Sequence, residues 1–197
     1  MNQPRLFKTH ALVSVALFFV AVLSCFKAGA SARQREHLTP EEVELVRDNQ
    51  ELDKRTDVFI HAAERRLLAV TNPEEAAKQQ AKEKEKWGEV KGTRAELLYD
   101  ISKILEEAVT NVDDAAQHNP ESTLLRKSLY KLSEAAGRIA PQLARLREGT
   151  QEESEADQLD RAIETAQEIL DAARQRAVNA EDLKTKDPKA KDGKKGN

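Results

Sequence analysis

Three histidines lie beyond the first thirty-five residues, His37, His61 and His118, and they bound most of the chemistry this chain could perform. His61 and Glu64 stand one helical turn apart, so both could reach one ion, but two ligands fall short of a metal site, and no Glu-x-x-His pair of the di-iron type occurs. His37 adjoins a helix start and His118 a helix end, ordinary places for a solvated imidazole. The acidic pairs Asp113-Asp114 and Glu152-Glu153 also fall at helix ends, where carboxylates serve capping. No Gly-x-Ser-x-Gly turn, glycine-rich phosphate loop or His-Glu-x-x-His motif is present. Catalytic, cofactor-binding and metal-binding residues are all expected to be absent, and the chain reads as a non-enzyme.

Two features remain that suit a partner instead. Trp87 stands among charges in Lys84-Glu85-Lys86-Trp87-Gly88-Glu89-Val90. It is expected either to fold over one end of the domain or to anchor a partner, a frequent role for tryptophan. Lys131, Arg138 and Arg145 repeat every seven residues and form a basic stripe. Asp100, Glu107 and Asp114 form an acidic stripe of the same spacing. The stripes are expected to pair and set the register of neighbouring helices, with Lys131, Arg138 and Arg145 as an alternative contact for an anionic partner.

The elements that must position these residues are helices. Aromatic residues make up 4% of the chain and charged residues 34%, a balance that suits long helices better than a sheet sandwich. Capping signatures mark the helix starts. Thr39-Pro40-Glu41-Glu42, Thr93-Arg94-Ala95-Glu96 and Thr150-Gln151-Glu152-Glu153 read as capping boxes, and Asn72-Pro73 and Asn119-Pro120 place Asn at the cap and Pro at the first helical position. They predict helices at about 40–71, 73–87, 94–118, 120–148 and 151–180. Pro141 should bend the fourth of these by crowding the carbonyl of Gly137.

The last three helices carry apolar seams of three–four spacing. One runs Leu98, Ile101, Leu105, Ala108, Val112, Ala115, and the next Leu125, Leu129, Leu132, Ala136, Ile139, Leu143, Leu146. The third runs Ala156, Leu159, Ile163, Ala166, Leu170, Ala173, Ala177. Short connections make successive helices antiparallel. Each step back along one seam then meets a step forward along the next: Leu146 faces Ala156, Ile139 faces Ile163 and Leu125 faces Ala177. The preceding pair aligns in the same way, from Leu98 against Leu143 to Ala115 against Leu125.

The fold class is therefore all-α: an antiparallel, coiled-coil-like bundle of three strong helices plus a long N-terminal helix at 40–71. Within that first helix, residues 47–57 are nearly all polar while Phe59, Ile60, Ala63, Leu67, Leu68 and Val70 form a core face. Residues 33–58 are thus expected to project as a polar spacer, and 59–180 to form the bundle domain with a charged helix and linker at 73–92. The segment 74–86 has no apolar stripe and persists through charge pairs. Residues 181–197 read as a disordered lysine-rich tail.

The first 32 residues speak to compartment. Arg5 and Lys8 precede an apolar run, Ala11 to Leu23, and small residues follow at Ala28-Gly29-Ala30-Ser31-Ala32. That is the layout of a secretory signal, with cleavage after Ala30 or Ala32 and a periplasmic or extracellular destination. Val22-Leu23-Ser24-Cys25 resembles a bacterial lipobox, which implies lipidation of Cys25 as the alternative. An uncleaved anchor would have only the 16 residues Ala11 to Phe26 against the roughly 20 a spanning helix needs. The membrane thus enters only through this segment.

The segment holds three of the 32 basic residues and none of the 35 acidic ones, so the remainder carries 29 against 35, a net charge of −6. Such a balance disfavours nucleic acid, which demands a basic surface. The remainder also holds no cysteine, so packing and not disulfides must stabilise it. Asn-x-Ser/Thr sequons are absent, which favours a bacterial source.

Leu38-Thr39-Pro40-Glu41-Glu42 resembles the Leu-Thr-x-x-Gln motif of Spy-type periplasmic chaperones, with Glu42 where the motif has Gln and no second copy in the chain. The resemblance implies an exported, all-helical chaperone. On its residues alone the chain reads as a structural or interaction module whose partner is an unidentified protein or envelope component, with a Spy-like chaperone or ligand-binding bundle as the alternative.

Overall fold

The computed structural model describes residues 36–184, and these contain six α-helices and no strand. The helices are α1 (Pro40–Asp48), α2 (Leu52–Thr71), α3 (Pro73–Trp87), α4 (Arg94–His118), α5 (Thr123–Glu148) and α6 (Glu153–Gln175), followed by a 3-10 turn at Ala180–Lys184. The secretory-signal reading, the Cys25 alternative and most of the predicted tail lie outside the described residues. Among those that are described, no helix is long and apolar enough to cross a membrane.

Local chemistry explains most of the boundaries. The Thr39 and Thr93 capping boxes both form, each with the threonine hydroxyl accepting from the N3 amide and the N3 glutamate accepting from the cap amide. Asn72 ends one helix and begins the next: its N–H donates to Leu68 O (2.7 Å) while its side-chain oxygen accepts from the Glu75 N–H (3.2 Å). The third expected box is not used. Thr150 donates its hydroxyl backward to Leu146 O (2.8 Å) and α6 starts after Glu152. Likewise Asn119 closes α4, Ser122 precedes α5, and Asn119–Ser122 forms the turn between them. Pro141 sits inside α5 without interrupting it.

The predicted single helix at 40–71 is two. Asn49 caps α1 through its N–H and its side-chain amide, both bonded to Leu45 O, and the polar run at 47–51 supplies no apolar stripe to carry a helix onward. This break lets α1 fold back onto α2 and α3. The expectation that residues 33–58 project as a spacer gives way accordingly: Leu38, Thr39, Glu42, Asp53 and Thr56 are all buried.

α2, α4, α5 and α6 form the core, with Phe59, Leu98, Ile101, Ile104, Leu125, Leu132, Ile139, Leu143 and Leu159 almost wholly enclosed. Burying each such side chain contributes about 1.5–3 kcal/mol. Their directions follow from the contacts that cross between them. α2 and α4 are antiparallel, joined by Arg55 to Asn111 and Arg66 to Asp100. α5 and α6 are antiparallel, joined by Arg126 to the Arg176 carbonyl and Arg147 to Asp160. The first of these contacts falls in the register expected from the sequence.

Sequence pairing misplaces α4 against α5. They are not flank-to-flank neighbours but face each other across the core, and each packs mainly against α2 and α6. Val112 and Leu129, one of the expected pairs, still line a common cleft, but the expected adjacency of the two helices does not hold. The reason is that α4 carries a broad apolar face, with Leu97 and Ile104 buried beside the predicted seam, and a broad face serves two neighbours. On α6 the same effect shifts burial toward Ala162, Thr165 and Ile169, leaving Ile163 and Leu170 half-buried.

The C-terminal end departs from expectation too. α6 stops at Gln175 instead of about 180, in a left-handed reversal at Ala177 (φ 49°) with Val178 N–H to Ala173 O and Ala177 N–H to Arg174 O, the Schellman pattern. Arg126 clamps this reversal from α5, donating to the carbonyls of Arg176 and Ala177 and to the Asp182 carboxylate. Residues 181–184, assigned to the tail, are thereby ordered. Alanine pays a steric penalty in this conformation that glycine does not. Ala177→Gly is expected to stabilise the protein by about 0.5–1 kcal/mol after the entropic cost of glycine, read as a rise in thermal midpoint.

Candidate functional site

The strongest charged constellation is one the sequence conceals. Helix α2 is apolar along one face through Phe59, Ala62, Ala63 and Leu67, yet it places Arg65 and Arg66 among them, with side chains only 2% exposed. Both guanidiniums converge on Glu42, which is fully buried. Arg65 Nη1 donates to Glu42 Oε1 at 2.6 Å and Arg66 Nη1 at 2.7 Å, while Glu42 Oε2 accepts from the Thr39 N–H at 2.9 Å. The glutamate that completes the α1 capping box is thus also the counter-ion of two arginines.

The Nη atoms also donate to backbone carbonyls, while the buried Nε of each arginine has no hydrogen-bond partner. Arg65 reaches Trp87 O (2.9 Å) and Gly88 O (2.7 Å), and Arg66 reaches Ala62 O (3.0 Å) and His37 O (2.8 Å). Thr39 Oγ1 donates to Trp87 O as well, at 2.8 Å. Asp100 Oδ2 of α4 lies 3.9 Å from Arg66 Nε, and Glu83 Oε2 of α3 lies 3.8 Å from Arg65 Nε. One clasp therefore ties α1, α2, the end of α3 and α4 together. With three donors on its two oxygens and no solvent exposure, the Glu42 carboxylate is enclosed as the common acceptor that joins α1 to α2.

Trp87 belongs to the edge of this clasp. Its ring is half-buried, 4.2 Å from the His61 imidazole centroid at an interplanar angle of 52°, with Lys86 Nζ 5.4 Å from its centre. His61 Nε2 meets Glu83 Oε2 at 3.1 Å. Burial pushes the Glu83 carboxyl up, but Gln79, His61 and Arg65 together outweigh it and hold it below the usual carboxylate range. Glu64, the other half of the suggested metal pair, turns instead to Arg138 (2.7 Å). Among the described residues no group of three His, Cys, Asp or Glu side chains is placed to hold a metal ion. His37 pairs with Glu107 at 2.7 Å, and His118 Nδ1 lies 2.7 Å from the Asp114 carbonyl.

The basic stripe is redistributed. α2 lies between α4 and α5 on this flank, so the stripes meet α2 and not each other. Lys131 contacts Asp57 (2.6 Å) and Asp53 (3.4 Å), Arg138 contacts Glu64, and Arg145 bonds Pro141 O of its own helix (3.2 Å). On the acidic side Asp100 faces Arg66 and Glu107 faces His37. For Lys131, Arg138, Asp100 and Glu107 the pairing expected between the two stripes is thus replaced by contacts to α2 and the segment before α1, while Arg145 turns to its own helix.

Asp53 is the second buried acid, 1% exposed, held by Lys127 (2.8 Å) and Lys131. Burial pushes its carboxyl up, but the hydrogen bonds and charges of the two lysines prevail and lower it below its ordinary 3.8. A carboxyl depressed in the folded state adds stability that is complete above its unfolded value and is lost as pH falls through the folded one. Acid titration followed by circular dichroism is therefore expected to show a stability loss below about pH 4, with a shallower slope there in Asp53→Asn.

Sequence reasoning missed Glu42, Arg65, Arg66 and Asp53. Arg66 carried a signal, since it falls on the apolar stripe, three residues after Ala63 and seven after Phe59. Among the described residues, partly open clefts lie beside the bundle. One of about 270 Å³ is bordered by His61, Arg65 and Arg138, and another of about 480 Å³ by Tyr130, Gly137 and Leu170. Compared with protein-family models, with curated protein sequences and with solved structures, the chain matches none.

Proposed function

We propose that this protein is an exported, non-enzymatic helical bundle that serves as a structural or protein-interaction module of a bacterial cell envelope. The observation that carries the reading is the closure of its strongest charged cluster. Glu42 accepts from one Nη of each arginine, and the Nη atoms also reach four backbone carbonyls, while the two Nε atoms are buried without a hydrogen-bond partner; the cluster is enclosed and ties helices together. The secretory layout of residues 1–32 supports export, and the balance of 29 basic to 35 acidic residues after it supports a partner other than nucleic acid.

The Spy-like alternative rests on Leu38-Thr39-Pro40-Glu41-Glu42. In this chain Leu38 is buried, and Thr39 and Glu42 are bonded within the clasp, which supports a capping role over a client-binding one.

Expression in a bacterial host with the intact mass of the recovered protein tests export. A mature N-terminus at Ser31 or Arg33 supports it, a lipidated Cys25 redirects it to an anchored form, and an uncleaved cytoplasmic product overturns it. An aggregation assay with an unfolded client separates the roles. Suppression at low stoichiometry would replace the module reading with the chaperone one.

A further inference from the structure

The core changes character along its length. The first half of α4 presents Leu98, Ile101, Ile104 and Leu105 to the core, whereas its last turns present Val112 and Ala116, which line a common cleft with Ala172 of α6. Small side chains facing small side chains leave volume, and a cleft of about 200 Å³ opens there between α4, α5 and α6. Its floor is core: Val112, Leu129, Leu132 and Ile169 are each no more than 6% exposed. An apolar cavity of roughly 150 Å³ in another protein is enough to take up benzene, and spaces between bundle helices are common ligand sites.

The mouth of the cleft is charged. Asp113 and Glu168 flank it with Arg176, two carboxylates against one guanidinium. α4 and α6 run in the same direction, as the contact of Arg94 with Glu155 near their starts requires. Both therefore end here; the carbonyls of Arg176 and Ala177 after α6 are already met by Arg126, and the end of α4 adds partial negative charge. Among the described residues neither Asp113 nor Glu168 takes part in an ion pair.

We propose that this cleft is a binding site for a small amphipathic cation: an organic ammonium with an apolar body about the size of one ring. The body rests on Val112, Leu129 and Ile169, and the charge lies at the Asp113–Glu168 rim. The proposal goes beyond the module role and stands independently of it.

Benzylammonium is a suitable probe, with toluene and benzoate as neutral and anionic counterparts of the same size. Titrated into the purified protein and followed by amide NMR, benzylammonium is expected to shift resonances of residues 109–116 and 168–176 saturably, with Kd of about 1 mM or tighter. Toluene should bind about five-fold more weakly and benzoate not measurably. Asp113→Asn with Glu168→Gln should reduce benzylammonium to the strength of toluene. Ala172→Leu fills the cleft and should abolish binding, and Ala116→Leu does the same from the opposite wall should the first variant fold poorly. Equal binding of toluene or benzoate, shifts that map elsewhere, no saturable shift, or binding that survives both filling variants each overturn the proposal.

Discussion

Glu42→Ala is expected to destabilise the protein by about 3–5 kcal/mol, the range for removing one partner of a buried ion pair. The cost arises less from the lost attraction than from what remains. Arg65 and Arg66 would stay enclosed at 2% side-chain exposure with no counter-charge on Glu42's side, and the Thr39 N–H would lose its acceptor. Chemical denaturation should read the full effect, and the thermal midpoint should fall by about 10 °C or more. Glu42→Gln keeps the shape and some hydrogen bonding, so it should lie between the two. Replacing the three charged residues together by apolar ones is not expected to restore stability, although such swaps are often neutral elsewhere. Here the arginines also donate to the carbonyls of His37 and Gly88, and apolar side chains would take those donors away. A triple variant as stable as the parent would show that the clasp is dispensable.

Gly88→Ala is the second large effect, expected at about 2–4 kcal/mol from backbone strain and loss of the α1 cap together. Gly88 ends α3 with φ 68° and ψ −175°, a region essentially closed to residues with a Cβ. An added Cβ would lie 2.1 Å from Glu41 Oε2 and 2.8 Å from Thr39 Oγ1. The Glu41 side chain is exposed and can swing away. Thr39 cannot, because its hydroxyl accepts from the Glu42 N–H and donates to Trp87 O. Relief must therefore come from moving the cap or the Gly88 carbonyl, and that carbonyl is held by Arg65. Since this substitution and Glu42→Ala act on one network, their combined cost should fall short of the sum. Strict additivity in a double-mutant cycle would show that they act separately.

What the sequence makes legible follows from the range of each interaction. Thr39, Thr93 and Asn72 announce helix starts because caps act within three residues, and the apolar seams of α4 and α5 announce faces because helical periodicity is local. Register between α5 and α6 is legible too, since a short connection leaves little choice. The diagonal placement of α4 and α5 is not: it depends on α2 inserting between their flanks, a choice made by three helices at once. The candidate site suffered most. Lys131 and Arg138 look like free surface until Asp57 and Glu64 arrive from α2. Glu42 looks like an ordinary cap residue until two arginines some 23 positions later close over it.

The position of Trp87 has a spectroscopic consequence. It is the chain's single tryptophan, its ring rests on His61, and its carbonyl is gripped by Thr39 and Arg65. Indole emission therefore watches the junction of α1, α2 and α3, while helical ellipticity is dominated by the long helices α2, α4, α5 and α6. In a protein that unfolds as one cooperative unit the two signals trace a single curve. A variant that loosens only the junction will pull them apart, and the separation between curves measures directly how far the N-terminal layer is a foldon of its own.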